Sequence, residues 1–206
     1  MTQDPVDRVH QALSEASLAL RDLLGNRPAL EAIARAGDLL STALAAGHKV
    51  YSCGNGGSLC DAMHFAEELS GRFRLDRPAL AATAISDPGH LSCVANDYGY
   101  EQVFSRYIEA HGHEGDCLLA ISTSGSSKNV VRAAQVARAR GLSVIALAGT
   151  PASALATHSN VLVCTPAGRF ADGVQELHIK VIHILIELVE AGLFRPPATA
   201  QQNNSS

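Results

Sequence analysis

The first 46 residues carry apolar side chains at the three- and four-residue spacing of amphipathic helices. The spacing predicts one helix over residues 5–24 and a second over 28–46, which Gly47 ends. Neither helix is basic enough to be the recognition helix of a helix-turn-helix, so we interpret residues 1–46 as a helical lead-in. The apolar positions that define the stripes are Val9, Leu13, Leu20, Leu23 and Leu24 in the first helix and Ile33, Leu40 and Leu44 in the second.

Beyond residue 47, short apolar runs alternate with segments of helical spacing. This succession predicts right-handed crossovers and a parallel sheet covered on both faces. We therefore expect residues 47–194 to form an α/β three-layer sandwich with a five-stranded parallel sheet of the flavodoxin-like type. The predicted strands are Lys49–Cys53, Leu80–Ile85, Cys117–Ile121, Ser143–Ala148 and Val161–Cys164, and the predicted helices span about 58–70, 101–110, 127–140 and 172–191.

Composition narrows the class of partner. With 47% hydrophobic and 17% charged residues, the 206-residue chain is globular, and only the tail 195–206 has the composition of a disordered segment. The net charge of −4 argues against binding of nucleic acid or of an anionic membrane. The longest apolar stretch, Val181–Val189, is too short to span a bilayer.

The cysteines and the N-terminus predict a cytoplasmic protein. The five cysteines are odd in number and contain no C-x-x-C pair, which argues against a disulfide framework or a metal knuckle and favours small core residues. The N-terminal segment MTQDPVDRVHQ has neither the basic start nor the apolar run of a signal peptide.

The loop after the first predicted strand, residues 53–58, reads C-G-N-G-G-S. Ligands of parallel sheets bind beyond the carboxyl ends of strands, and glycines let the backbone approach a ligand closely. A tight turn capped by Ser58 is the other interpretation. The dinucleotide pattern G-x-G-x-x-G fails because residue 59 is leucine, so we expect no nucleotide cofactor.

The loop after the third predicted strand, residues 122–127, reads S-T-S-G-S-S and leads into a helix. Hydroxyls, amides at a helix start and the helix dipole together favour a phosphate group. A helix cap needs one hydroxyl, whereas this loop holds five in six residues, so a phosphate ester is the better interpretation. The loop lacks a Walker lysine, so it does not indicate a nucleoside triphosphate.

Two predicted helices carry polar side chains suited to acid/base work. His64 and Glu68 are four residues apart and share one helix face, and the last helix carries Gln175 and His183. His183 interrupts an almost wholly apolar run, and an unpaired buried imidazole is costly, so it should have a partner. Taken alone, a satisfied core histidine remains the usual explanation.

These motifs together resemble the phosphoheptose isomerases, a family of the sugar-isomerase (SIS) fold. The resemblance runs from about residue 5 to residue 194. It implies conversion of sedoheptulose 7-phosphate to D-glycero-D-manno-heptose 7-phosphate for heptose biosynthesis, most commonly for the lipopolysaccharide core. The segments that carry it are GNGGSLCDAMHFAEELSGRF, AISDPGHLSCVANDYGYEQVFSRY, GDCLLAISTSGSSKNV and ADGVQELHIKVIHILIELVE.

The resemblance also implies roles for individual residues. Glu68 and His183 would be the acid/base pair, with Gln175 beside them. The chain departs from the pattern at Gly173, where a basic or longer residue is expected. The implied sugar contacts are Asn55, Gly56, Gly57, Ser58, Asn96, Asp97 and Asp172, and the implied phosphate contacts are Ser122, Thr123, Ser124 and Ser127.

In some family members a zinc ion sits among the positions that match His64, Glu68, Gln175 and His183. Glutamine is a poor zinc ligand compared with histidine, cysteine or carboxylate, so the residues alone leave a bound zinc open.

Relatives of this kind are tetramers. The apolar last helix and the leucine-rich lead-in predict a homo-oligomer with shared active sites, in which His183 would reach into a neighbour's pocket and each site would take Glu68 and His183 from different chains.

Two other functions fit the same fold. One is a non-catalytic SIS protein that binds the bacterial replication initiator, a class in which the acid at the position of Glu68 is missing. The other is a SIS enzyme for an amino-sugar phosphate, which shares the STSGSS loop but not the helix D-A-M-H-F-A-E-E. Because this chain has Glu68, His183 and that helix together, the isomerase is the favoured interpretation.

Overall fold

A computed structural model describes residues 4–166, 168 and 170–194. The predicted disordered tail, 195–206, lies outside the described residues. The helices are α1 (Pro5–Gly25), α2 (Arg27–Ala45), α3 (Gly57–Ser70), α4 (Pro88–Tyr98), α5 (Val103–His111), α6 (Lys128–Ala139) and α7 (Ala171–Leu193), the strands are β1 (Val50–Cys53), β2 (Ala82–Ala84), β3 (Cys117–Ile121), β4 (Ser143–Ala148) and β5 (Val161–Cys164), and short 3-10 helices span Tyr100–Gln102 and Ala154–His158.

The five strands form one parallel sheet in the order β2-β1-β3-β4-β5. This is the flavodoxin-like order that the sequence predicts, and the sheet's strand directions confirm the α/β fold class. The central strands β1 and β3 are buried along their whole length, as parallel strands covered by helices on both faces must be. The order of the strands reverses between β1 and β3, which makes the gap between their carboxyl ends the expected ligand position.

Two apolar layers sandwich the sheet. On one face, α2, α3 and α7 pack in a core that includes Leu40, Phe65 and Leu185, each fully buried. On the other face, α4, α5 and α6 pack in a second core that includes Phe104 and Ile108. The arrangement places α3 and α7, the two helices that carry the candidate acid/base residues, next to each other on the same face.

The apolar face of the last helix is buried within its own chain. Val181, Ile182, Leu185 and Ile186 are fully buried in the core of one chain. The inference from this helix to burial between subunits was therefore wrong, because one subunit already covers most of its apolar face.

Helix α1 instead leaves its apolar stripe exposed. Val9, Leu13 and Leu24 are 60%, 67% and 66% exposed, and of the stripe only Leu23 is buried. Contiguous exposed apolar surface of this kind marks an interaction site. The exposed apolar stripe of α1 is therefore the part of the lead-in that still favours an oligomer.

The cysteines and the membrane prediction can also be compared with the structure. All five cysteines are free, but only Cys53 and Cys117 are buried, whereas Cys60 and Cys93 are exposed, so the expectation that most are core residues was wrong. Among the described residues, no helix has the length and hydropathy that crossing a membrane requires.

Candidate active site

The glycine loop, residues 53–58, leaves β1 at the switch point of the sheet. Gly56 has φ +55°, a left-handed conformation that side chains disfavour. Helix α3 begins at Gly57 without a side-chain cap, and Ser58 is buried inside its first turn, so the alternative interpretation of a turn capped by Ser58 does not hold. A Cβ on Gly57 would lie 2.6 Å from Nε2 of Gln175, so the glycine gives the Gln175 amide its place beside the loop.

A reciprocal amide pair joins this loop to helix α6. Asn55 Nδ2 donates to Asn129 Oδ1 at 2.9 Å, and Asn129 Nδ2 donates to Asn55 Oδ1 at 2.8 Å. The Tyr100 hydroxyl also donates to Asn55 Oδ1, at 3.2 Å. Sequence reasoning did not identify Asn129 or Tyr100, since nothing in a single sequence pairs an asparagine with one that is 74 residues away.

The serine loop, residues 122–127, leaves β3 next to the glycine loop. Ser127 stands at the N-cap of α6, yet its hydroxyl makes no capping bond, and instead it accepts from the hydroxyl of Ser122 at 3.0 Å. Ser124 is exposed and Thr123 is half-buried. Since no hydroxyl of this loop caps α6, helix capping does not explain why the loop is rich in hydroxyls.

An open cleft lies beside the serine loop. It has a volume of about 330 Å3, and Thr123, Ser124, Gly149 and Val174 are among its lining residues. Gly125, at φ +64°, lets the loop turn against Ser153, because a Cβ there would collide with the Ser153 side chain. The start of α7 therefore forms one wall of the space into which the loop hydroxyls open.

Three ionisable side chains converge between α3 and α7. His64 Nε2 lies 2.9 Å from His183 Nε2 and 3.5 Å from Glu68 Oε1. His183 thus has the polar partner that its apolar helix demands, and that partner is His64. The Glu68 carboxylate is mostly buried, with 17% of its side chain exposed. A partly buried carboxylate beside two imidazoles is suited to proton transfer.

Neighbouring groups shift the pKa of His183 and orient the rings of this cluster. Burial, followed by the neighbouring His64 ring, lowers the pKa of His183, and Glu68 opposes the shift. The ring of Phe73 stacks on His183 with 5.8 Å between centroids. On the other side, Glu67 Oε1 lies 3.4 Å from His64 Nδ1, a contact that orients the His64 ring toward His183.

Asp61 is a further acidic residue of α3 that the sequence reasoning missed. It lies three residues before His64 and seven before Glu68, and so shares their helix face. Its Oδ2 atom is buried without a hydrogen-bond partner among the described residues. Burial raises the pKa of Asp61 to about 6, and His64 opposes the shift.

The remaining predicted sugar contacts lie outside this cluster. Asn96 and Asp97 are exposed near the end of α4, where the Asn96 side-chain amide donates to Asp97 Oδ1 at 2.8 Å. Asp172 is exposed in the first turn of α7, where its Oδ1 accepts from the Gly173 amide at 2.8 Å. All three are accessible to a ligand.

Within one chain, the loops and the ionisable cluster are separate. Glu68 is eleven residues along α3 from Gly57, which is about 16 Å at 1.5 Å per residue. Gln175, which lies against Gly57, is eight residues along α7 from His183, or about 12 Å. The expectation that Gln175 stands beside the acid/base pair was therefore wrong for a single chain.

Glu68 and His183 belong to the same chain's cluster. Their ligand atoms and that of His64 all lie within 4.8 Å of one another. The expectation that each site takes Glu68 and His183 from different chains was therefore wrong.

The same three residues form a group that is able to hold a metal ion. In tetrahedral zinc sites with bonds of about 2.0–2.2 Å, ligand atoms are about 3.3 Å apart. The separations of 2.9 Å and 3.5 Å lie on either side of that value. Two imidazoles and one carboxylate are also a donor set of known catalytic zinc sites, so the residues fit the ion.

Comparisons with known proteins place the chain in a family. The family model of the SIS domain matches residues 21–149. A phosphoheptose isomerase of Edwardsiella ictaluri is 53% identical over 184 residues, which cover 89% of this chain and 95% of that protein. One of Yersinia pestis has the same identity and coverage.

Two solved structures are similar over nearly the whole fold. The phosphoheptose isomerase of Neisseria gonorrhoeae is 35% identical, with a TM-score of 0.84, and the match covers 91% of this chain and all of that one. The phosphoheptose isomerase of Francisella tularensis is 32% identical, with a TM-score of 0.85, and the match covers 91% of this chain and 98% of that one.

Proposed function

Because the chain belongs to the phosphoheptose isomerase family of SIS-domain proteins, we propose that it converts sedoheptulose 7-phosphate to D-glycero-D-manno-heptose 7-phosphate. The reaction is an aldose–ketose isomerisation of heptose biosynthesis. The observation that carries the proposal is the convergence of His64, Glu68 and His183 within 4.8 Å, which gives a SIS fold the acid/base groups that the reaction needs. The heptose is destined for lipopolysaccharide core, and the enzyme works in the cytoplasm, where its five free cysteines stay reduced.

Ketose and aldose differ by one proton between neighbouring carbons, and an enediol connects them. Glu68 takes the proton from C1 of the ketose and returns it to C2, because a carboxylate is the natural base for a carbon-bound proton. His183 serves the oxygens of C1 and C2, since the ring nitrogens of an imidazole can both accept and donate a proton. The serine loop holds the phosphate and so positions the reacting end.

In this proposal, the loop that binds the phosphate and the Glu68–His183 pair of one site belong to different chains. An extended seven-carbon sugar phosphate spans about 10 Å, estimated from C–C bonds of about 1.5 Å. Within one chain, the backbone positions of the pair lie about 12 to 16 Å along the helices from the loops. We therefore assign each site the loops of one subunit and the Glu68–His183 pair of another, in a homotetramer whose contacts include the exposed stripe of α1.

A zinc ion belongs in the same cluster, held by His64, Glu68 and His183. When bound, it polarises the carbonyl and hydroxyl oxygens of the sugar. These three residues would hold the ion and leave room for an oxygen of the sugar, as in catalytic zinc sites. For proton transfer Glu68 would then use its other carboxylate oxygen and His183 its Nδ1 nitrogen, since Glu68 Oε1 and His183 Nε2 face His64 and would bind the ion.

Metal content tests the zinc assignment. Gently purified protein should contain close to one zinc ion per chain, and His64→Ala should lose it because one of three donors is gone. His10→Ala, an exposed histidine of α1, should keep it. Full activity of metal-free protein after exhaustive chelation would contradict a catalytic zinc.

The reaction itself is tested with purified protein and sedoheptulose 7-phosphate. Appearance of an aldose 7-phosphate supports the proposed function. The same incubation with an amino-sugar phosphate separates the alternative SIS enzyme, since turnover of that substrate alone would refute the heptose assignment.

A further inference from the structure

A buried arginine lies behind the acid/base pair. Arg77 belongs to the connection between α3 and β2, and only 4% of its side chain is exposed. Its Nε donates to Glu190 Oε1 on α7 at 2.9 Å, and the Glu190 side chain is 16% exposed. A buried guanidinium in such an environment needs several partners, and Arg77 has them on two helices.

The other bonds of Arg77 close the end of α3. Its Nη2 donates to the Glu68 carbonyl at 2.6 Å, and its Nη1 donates to the Leu69 carbonyl at 2.7 Å and to the Gly71 carbonyl at 3.2 Å. The last carbonyls of a helix have no hydrogen-bond donor within it and carry partial negative charge. A guanidinium at this end supplies the missing donors and an opposite charge. The backbone of Glu68 itself is thereby fixed in the last turn of α3.

Glu190 ties the same arginine to the histidine. Glu190 is seven residues after His183 on α7, which returns it to the same helix face within about 20°. Arg77 therefore connects both members of the pair. It binds the Glu68 backbone directly, and through Glu190 it is joined to the face of α7 that carries His183. The Glu68 side chain closes the circle, since it lies beside His64 and His183.

We infer that Arg77 and Glu190 are positioning residues that set the distance between Glu68 and His183 for proton transfer. The inference rests on the proposed function and adds two residues to its site. Neither residue touches the sugar in this account; they act through the backbone of Glu68 and the face of α7. Rates of acid/base catalysis fall steeply when donor and acceptor move by an ångström. Loss of the Arg77 hydrogen bonds should therefore lower turnover more than it weakens binding of the sugar phosphate.

An exposed ion pair on the same connection provides a matched control. Arg74 Nη1 lies 3.0 Å from Glu187 Oε2, and both side chains are more than half exposed, at 57% and 55%. Arg74 also joins the connection to α7, but it binds no carbonyl of α3 in the contacts described here. Exposed pairs contribute little, so Arg74→Met should behave like the unaltered protein.

The test compares Arg77→Met, Arg77→Lys, the double variant Arg77→Met/Glu190→Leu and Arg74→Met. For Arg77→Met we expect kcat with sedoheptulose 7-phosphate to fall roughly 10- to 100-fold, with KM and the Kd for inorganic phosphate changed less than about threefold. The kcat of Arg77→Lys should lie between that of Arg77→Met and that of the unaltered protein, because an ammonium reaches fewer of the acceptors.

The double variant separates positioning from stability. Replacing both partners of a buried ion pair by apolar groups often restores stability, so its thermal midpoint should recover toward that of the unaltered protein. Its kcat should stay low, because the Glu68 carbonyl still lacks the donor that Arg77 provides. Recovery of kcat together with stability would overturn the inference, and so would an equal loss of kcat in Arg74→Met.

A readout without substrate keeps the inference independent of the proposed function. The imidazole nitrogen resonances of His64 and His183 should shift in Arg77→Met and in the double variant, and stay in place in Arg27→Met, which removes an exposed ion pair with Glu31 on α2. If the unaltered protein turns over no sedoheptulose 7-phosphate, the proposed function fails, and these resonances still decide whether Arg77 positions the cluster. Unshifted resonances in both Arg77 variants would refute it.

Discussion

His178 lies on α7 five residues before His183 and is fully buried in the core. Neither ring nitrogen makes a well-formed hydrogen bond in the described structure. Burial lowers the pKa of His178 from 6.5 to about 4, and the nearby Ala148 backbone opposes the shift without cancelling it. The native protein therefore keeps this imidazole neutral at pH values where the unfolded chain protonates it.

Stability should consequently fall as the pH falls from about 6.5 to 4. The unfolded chain then binds a proton that the native chain does not, which removes about 2 kcal/mol from the free energy of unfolding between pH 7 and pH 5. Urea unfolding of the unaltered protein and of His178→Leu measures the difference, and the variant should lose stability less steeply. His10→Asn, at an exposed position, should retain the original slope. Equal slopes for all three proteins would contradict this account.

The two histidines show what one sequence can reveal at the residue scale. The apolar run around His183 predicts that its imidazole has a partner, and His64 is that partner at 2.9 Å. The same reasoning applied to His178 would have failed, because among the described residues only the Ala148 backbone lies near this buried ring and neither ring nitrogen makes a well-formed hydrogen bond. Periodicity places both on an apolar helix, but the neighbouring elements decide which ring meets polar groups.

At the scale of elements, the serine loop is the part of the site that the sequence specifies best. Its hydroxyls open from the end of β3 and none caps α6. Replacing Ser124 and Ser127 by alanine should raise KM for the sugar phosphate and Kd for inorganic phosphate by roughly 100-fold, because each hydrogen bond to an anion contributes about 1.5 kcal/mol and two are lost.

Binding of inorganic phosphate, measured by calorimetry, checks this prediction. Ser126→Ala is the control, since its hydroxyl lies in the same loop but outside the predicted phosphate contacts. If phosphate affinity is unchanged in the double variant, the loop is a structural turn and binds no phosphate through these hydroxyls.

Helix α4 shows why other elements escape prediction. The stretch Asp87-Pro88-Gly89 resembles a turn, and within α4 only Val94 is buried, so no apolar stripe is visible. In the structure Asp87 is an N-cap that accepts from the His90 amide at 2.6 Å, and Pro88 occupies the first turn, where proline is favoured. The capping signature was present in the sequence, but the strands, with their dense apolar runs, were far easier to recognise.

At the scale of the whole molecule, each proposed site is divided between two subunits. Sequence could suggest shared sites but not the division, because only the fold shows that Glu68 and His183 meet in one chain while the loops lie about 12 to 16 Å away along α3 and α7. The division predicts which inactive variants can complement each other.

Complementation follows from co-refolding two variants at equal ratio. Glu68→Gln with His183→Asn should recover no activity, because every pair contains one altered residue. Glu68→Gln with Ser124→Ala/Ser127→Ala should recover about a quarter of the sites, since independent chains place intact loops against an intact pair with that frequency. Mixed oligomers are verified by native mass spectrometry. Recovery in the first mixture, or none in the second, would contradict the division.

The central claim is that Glu68 moves the carbon-bound proton through an enediol, and the reaction in 2H2O measures it most directly. Sedoheptulose 7-phosphate is incubated with the unaltered protein, with Glu68→Gln and with Glu109→Gln, an exposed control on α5, and C2 of the aldose is observed by NMR. We predict deuterium at C2 for the unaltered protein and the control, and a kcat at least about 100-fold lower for Glu68→Gln with a nearly unchanged KM. Protium retained at C2, together with full turnover by Glu68→Gln, would contradict the account.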